Sequence, residues 1–266
     1  MIKKQKFIKA KYVINKILFD EFQNYATKSI VPYFSKEMRE RFEVYFCELN
    51  KWNKMFNLIS FESESNLVYR HFCDSLYSAK IINGILINYN HSSTAQLKLC
   101  DVGTGSGMPG LPVKIVFPDV KLTLIESIAK KCKFLENMNN KLGFDVKILN
   151  RRAEDVGQML SYRQQYDFVL SRAVSKLSSN LEISVPLLKI EGYFLVHKTK
   201  KSAENLEDGL PSVENALKHL GAKFENIIHY TLPHQDLDYC ILVFKKYKNT
   251  AAQFPRKSGI PKKNPL

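Results

Sequence analysis

The sequence predicts an α/β chain: a seven-stranded, mostly parallel sheet with an antiparallel carboxyl-terminal hairpin, preceded by an amino-terminal helical extension. Two observations carry this reading. From Leu97 onward, short apolar segments alternate with helix-length ones, as they do where crossover helices join parallel strands. Before that point Phe42, Tyr45, Phe46, Leu49, Trp52 and Phe56 recur every three or four residues, the period of an amphipathic helix.

Residues 1–34 form an extension in which Lys mixes with Ile, Phe and Tyr at loosely helical spacing. Residues 35–92 form a helical segment whose apolar positions are expected to pack on the remainder. The sheet belongs to residues 93–248, with strands expected at 97–102, 120–126, 145–149, 166–171 and 192–197. Helices are expected between them near 111–117, 129–142, 151–160 and 176–189, and after them near 202–220. Two further strands, 224–231 and 239–246, are joined by a Pro-containing connection too short for a crossover helix, so the pair is expected to be antiparallel. Residues 249–266 form a basic tail in which Pro255, Pro261 and Pro265 accompany Arg256, Lys257, Lys262 and Lys263. That composition predicts a segment without regular structure, available to phosphate groups.

Forty Lys and Arg stand against twenty-six Asp and Glu, and the net charge of +14 points to a polyanionic partner, with nucleic acid the leading candidate. The cysteines, at 47, 73, 100, 132 and 240, are widely spaced, odd in number and without a Cys-x-x-Cys pair. They argue against a disulfide framework or a zinc site and for a reducing compartment. No apolar run approaches the roughly 20 residues that span a bilayer. The Lys3, Lys4, Lys6, Lys9 and Lys11 run is followed by no signal-peptide core. A cytoplasmic monomer without membrane or metal is expected.

The central motif is Asp101-Val-Gly-Thr-Gly-Ser-Gly-Met-Pro-Gly110, set directly after the first strand and before a helix that Pro112 could start. Gly103, Gly105 and Gly107 permit a left-handed backbone and the close approach of a ligand. Gly105 to Gly110 also fits the dinucleotide spacing, which keeps an NAD-dependent oxidoreductase as an alternative. Asp101, two residues before the first glycine, would repel a diphosphate there. It suits a turn that faces a sulfonium-bearing amino acid, so S-adenosylmethionine is the expected cofactor. Glu126, closing the second strand about 20 residues beyond the glycines, stands where a carboxylate accepts the ribose hydroxyls. Ala153 and Glu154, after the third strand, stand where methyltransferases contact the adenine edge, a position equally suited to a helix start.

The fourth strand ends in Ser171-Arg172-Ala173-Val174. It has neither the Asp/Asn-Pro-Pro-Tyr/Phe sequence that cradles an exocyclic amine nor a Pro-Cys nucleophile for pyrimidine C5. A ring nitrogen with a free lone pair, such as guanine N7, needs neither device, because positioning and electrostatics suffice for in-line displacement. Arg172 and Lys198, at the ends of the fourth and fifth strands, are the candidate catalytic residues. Arg172 would hold the cofactor carboxylate or the guanine, and Lys198 an RNA phosphate. A non-catalytic RNA-binding module of the same fold stays open, with the basic tail as its main asset. His71 and Asp74 have two readings: helix packing and capping, or lining the mouth of the cofactor site.

Together these segments resemble the bacterial small-subunit (16S) rRNA guanine-N7 methyltransferases, formerly called glucose-inhibited division protein B. The likeness covers roughly residues 40 to 266. It rests on Trp52-Asn-Lys54 with Asn57-Leu58, His71-Phe-Cys-Asp74-Ser-Leu76, the Asp101 to Pro112 loop, Arg152-Ala-Glu-Asp155, Ser171-Arg-Ala173, Pro186-Leu-Leu-Lys189 and Phe254-Pro-Arg-Lys-Ser-Gly-Ile-Pro261. The resemblance implies a Rossmann-like class I methyltransferase fold and methylation of N7 of guanine 527 in 16S rRNA, within the 30S subunit. It implies cofactor contacts at Gly103, Met108, Ala153, Glu154 and Arg172, with Glu126 where the family usually has Asp. Thr199 stands where Gly is common, and Asp238-Tyr239 where a basic residue is usual.

Overall fold

The computed structural model describes residues 14–88, 94, 96–172, 174–205 and 208–266. The amino-terminal lysines from Lys3 to Lys11, and Ala173 of the fourth-strand motif, lie outside the described residues.

Helix α1 (Lys16–Ser29) starts at Asn15, whose side chain accepts from the Leu18 amide at 3.2 Å. Its Leu18, Phe19, Phe22 and Ala26 are buried. Helix α2 (Lys36–Phe56) is capped by Ser35 and closed by Asn57 in the left-handed conformation. Phe22 meets Phe34 and Phe42 edge-on, with ring centroids 5.4 and 5.2 Å apart, so α1 joins the core from which the notional extension was set apart. A helix begun by α3 (Glu64–Asn66) passes through a π-helical turn, Leu67–Cys73, into α4 (Asp74–Asn88).

Seven strands follow: β1 (Lys98–Val102), β2 (Lys121–Ile125), β3 (Lys147–Leu149), β4 (Tyr166–Arg172), β5 (Leu188–Thr199), β6 (Ala222–Tyr230) and β7 (Tyr239–Lys246). Their order is β3-β2-β1-β4-β5-β7-β6. The first five pair in parallel, while β7 runs antiparallel to β5 and β6 antiparallel to β7. This is the Rossmann-like sheet with its reversed hairpin. Alternation along the strands divides the core. Phe168 and Leu170 face α1, α2, α4 and the loop-following helix α5 (Gly110–Val116), with α6 (Ala129–Leu142). Val169 and Phe194 face α7 (Ala153–Gln158) and α8 (Leu177–Ser184).

Three expectations are corrected. The helix expected over 176–189 ends at Ser184. Pro186 then sits in a 3-10 turn, Val185–Leu187, and the chain enters β5 at Leu188, well before the expected 192. The helix expected over 202–220 is broken into α9 (Lys200–Ala203), a 3-10 turn at Leu210–Ser212 and α10 (Glu214–Leu220). Pro211, which lacks an amide donor, opens that middle turn.

The carboxyl-terminal tail is the third. It is docked, and it contains α11 (Ile260–Lys263). Arg163 donates to the carbonyls of Thr250 and Ala251 at 2.8 and 3.0 Å and also to that of Phe254, whose side chain is buried. Arg256 grips the fully buried Glu182 through Nε and Nη2 at 2.8 and 2.6 Å. Arg256 is therefore occupied internally, while Lys257, Lys262 and Lys263 remain exposed. Among the described residues no helix is long and apolar enough to cross a membrane.

Candidate active site at the carboxyl edge of the sheet

The turn after β1 is held from beneath, from the side and from above. Asp101 is fully buried under it, and Oδ2 accepts from Thr104 Oγ1 at 2.6 Å and from the Gly110 amide at 2.8 Å. Its Oδ1 has no hydrogen-bond partner among the described residues. Burial pushes this carboxyl up to about 7, against the pull of the Thr104 and Gly110 bonds. From the side, Glu126 braces the loop: one oxygen accepts from the Gly105 amide and the other from the Ile128 amide, both at 2.9 Å. From above, the buried Tyr45 of α2 donates to the Ser106 carbonyl, so the helical segment fixes the loop directly.

Two glycines are demanded by this geometry. Gly107 has φ +96°, and a β-carbon there would stand 2.5 Å from Leu111 Cδ1 and 2.8 Å from the Tyr45 hydroxyl. Gly105 has φ +61°, and its absent β-carbon points into free space, with Lys131 Nζ 3.9 Å away. That space belongs to a cavity of about 490 Å³ at the carboxyl edge of the strands. The loop, the π-helical turn, the ends of β4 and β5 and the start of β7 line it.

Behind the cavity wall lies a buried polar cluster. Arg172, the last residue of β4, donates to Asp74 Oδ2 at 3.1 Å and to His71 Nδ1 at 3.0 Å, and reaches Met108 Sδ at 3.5 Å. His71 Nε2 faces the Ser60 carbonyl at 3.2 Å. A single proton on Nε2 satisfies both contacts, and burial, reinforced by the Arg172 charge, pushes the His71 pKa down to about 3. Asp74 also meets His197 Nδ1 at 3.2 Å and accepts from the Tyr230 hydroxyl. Burial alone would raise its pKa, but His197, Arg172 and Tyr230 together hold it well below the carboxylate range. His197 Nε2 in turn meets Ser78 Oγ at 2.6 Å. Burial also pushes the Lys198 ammonium below its ordinary value.

A family described as GidB, rRNA small subunit methyltransferase G, has a sequence model that matches residues 38–226. The chain belongs to this family. Curated relatives named ribosomal RNA small subunit methyltransferase G include one from Acetivibrio thermocellus, 38% identical, with the match covering 86% of this chain and 89% of that one. The relative from Lactococcus lactis is 37% identical, with 93% and 98% covered, and that from Alkaliphilus oremlandii is 39% identical, with 82% and 86% covered. Membership of a methyltransferase family leaves the oxidoreductase alternative, drawn from the Gly105 to Gly110 spacing, without support.

Of the residues expected at the site, Gly103, Gly105, Met108, Arg172 and Lys198 line the one cavity, together with His71 and Asp74. Asp101 and Glu126 act on the loop itself, from outside that lining. Ala153 opens α7 beyond β3, and the Glu154 carboxylate accepts from Arg152 at 2.9 Å and from the Gly259 amide of the tail at 3.1 Å. Sequence reasoning missed His197, Lys131, Tyr45 and Tyr230. His197 carried a usable signal, because the strand-end rule that selects Lys198 applies equally to its neighbour. Tyr45 sits in an apolar stripe, where nothing distinguishes its hydroxyl from packing.

Proposed function

We propose that the protein transfers a methyl group from S-adenosylmethionine to N7 of a guanine, guanine 527 by family resemblance, in 16S rRNA, acting as a cytoplasmic monomer on the small ribosomal subunit. One observation carries the reading: a single cavity brings together the glycine turn, Arg172 and Lys198.

The residues present fit the cofactor. A side chain at Gly105 would fill the cavity that a ligand needs, and the turn leaves its backbone accessible from that side. Gly103, Gly105 and Met108 would hold the cofactor's amino-acid end, Glu126 its ribose, Ala153 and Glu154 its adenine, and Arg172 its carboxylate. When bound, S-adenosylmethionine supplies an electrophilic methyl group.

The chain's own work is positional. Guanine N7 carries its lone pair outward and has no proton to lose before attack, so no general base is required. Asp74 and the neutral His71 fix the Arg172 guanidinium in one orientation, and Asp74 balances its charge. Lys198 stands at the mouth for a phosphate of the RNA strand, whose contribution is electrostatic and salt-dependent.

The test uses small subunits from cells lacking this methylation, incubated with labelled S-adenosylmethionine. Transfer of label followed by mapping of the modified base should show N7-methylguanosine at one site. Label on another atom or another base would overturn the guanine-N7 assignment. Binding of S-adenosylhomocysteine and of small subunits without any transfer would instead support a binding module.

A further inference from the structure

Tyr239 opens β7 beside the cavity, paired across the ladder with Thr199 of β5. It is 6% exposed, and its hydroxyl oxygen is closed to water without a hydrogen-bond partner among the described residues. The surrounding tyrosines behave otherwise. Tyr230 donates to Asp74, and the hydroxyls of Tyr25 and Tyr77 meet each other at 3.1 Å. The ring of Tyr239 stacks on that of Tyr230 at 6.0 Å between centroids, a task that phenylalanine would perform as well. Packing therefore accounts for the ring and leaves the oxygen unexplained. A buried polar atom without a partner, set in the wall of a ligand cavity, is expected to find its partner in a ligand.

Position in the sheet selects which ligand. The glycine turn follows β1, whereas Tyr239 stands three inter-strand steps away across β4 and β5, about 14 Å along the sheet edge. The cofactor-binding turn thus lies at one end of the cavity and Tyr239 at the other, where the acceptor must enter. That end presents donors: Arg70, Arg172, Lys198 and the phenol line the same space. Arg70 and Lys198 make no side-chain hydrogen bond or ion pair among the described residues. Burial also keeps the phenol protonated at neutral pH, so it is available as a donor. A wall of donors fits a base edge made of acceptors. On its Hoogsteen edge guanine presents N7 and O6, both acceptors, whereas adenine replaces O6 with an amino donor.

We propose that Tyr239 is a specificity-determining residue whose hydroxyl donates a hydrogen bond to O6 of the methyl-accepting guanine, leaving the neighbouring N7 lone pair free for transfer. This rests on the guanine-N7 reading above. It gives a purpose to a residue that departs from the basic one usual at this place in the family.

The test compares the wild type with Tyr239→Phe on reconstituted small subunits carrying either guanine or 2-aminopurine, which lacks O6, at the mapped acceptor. On guanine, Tyr239→Phe should lower kcat/KM about tenfold, while calorimetric affinity for S-adenosylhomocysteine stays within about twofold. On 2-aminopurine the two proteins should be equal, because the bond has no acceptor in either case. Equal rates on guanine would overturn the proposal. So would a parallel loss of S-adenosylhomocysteine affinity, or a defect that persists undiminished on 2-aminopurine. Failure of the wild type to methylate any guanine would overturn the underlying function instead, which separates the two.

Discussion

Replacing Asp74 by Asn keeps the shape of the side chain and removes the charge on which the polar cluster is built. Asp74 is 4% exposed and faces Arg172, His197 and Tyr230 at once. The Arg172 side chain is itself only 15% exposed. Removing one partner of a buried ion pair costs about 3–5 kcal/mol, since the other charge stays buried without compensation. Arg172 retains His71 and the retained amide oxygen can still accept, so the lower end, about 3 kcal/mol, is expected. For a chain of this size that is a fall in Tm of roughly 6–12 °C. The pH dependence sharpens the test. The Asp74 pKa is depressed in the folded state, so its contribution is present at neutral pH and is lost as pH falls below the ordinary carboxylate value of about 3.9. Thermal melts of wild type and Asp74→Asn across pH 7 to 3 should therefore converge at the acid end. A variant that melts within about 2 °C of wild type at pH 7, or a gap that does not narrow with acid, would refute this account of the cluster.

His71 has its pKa lowered to about 3, so between pH 6.5 and that value the unfolded chain binds a proton that the folded one refuses. This drains about 3 kcal/mol by pH 4, and urea melts of His71→Gln should show a flatter acid limb than wild type. Gly105→Val would place a branched side chain in the cavity at a φ of +61°; S-adenosylhomocysteine affinity measured by calorimetry should fall about a hundredfold or more, with Tm lowered by only a few degrees. Undiminished affinity would show that the turn does not seat the cofactor. Arg256→Ala leaves the fully buried Glu182 carboxylate unpaired and should cost about 3–5 kcal/mol in urea unfolding, whereas a freely mobile tail would make the change silent.

The sheet was legible because its signals are local. β7 occupies the expected 239–246, and the glycine turn lies where Asp101 and the following glycines place it. The expected antiparallel pairing also holds, because a short connection leaves no alternative. What escaped the sequence depends on distant partners. Arg256 reads as a free tail cation until Glu182, 74 residues earlier, is seen to receive it. Asp74 reads as a helix residue until Tyr230, 156 residues later, donates to it. The breaks at Pro186 and Pro211 were visible as residues, but apolar periodicity on both sides concealed them. The π-helical turn left no signature in the spacing of apolar residues, although it carries Arg70 and His71.

That widened turn makes the length of this helix as consequential as its composition. A π-helical turn holds one residue more than the α-helical path it replaces. Deleting any single residue between Leu67 and Cys73 would let the helix relax to ordinary winding and rotate everything after it by about 100°. Asp74 and Ser78 would swing off the cavity wall, leaving Arg172 and His197 facing apolar side chains. Point changes along this helix are thus graded perturbations, whereas a one-codon loss acts as an on-off lesion at a residue the lesion need not touch.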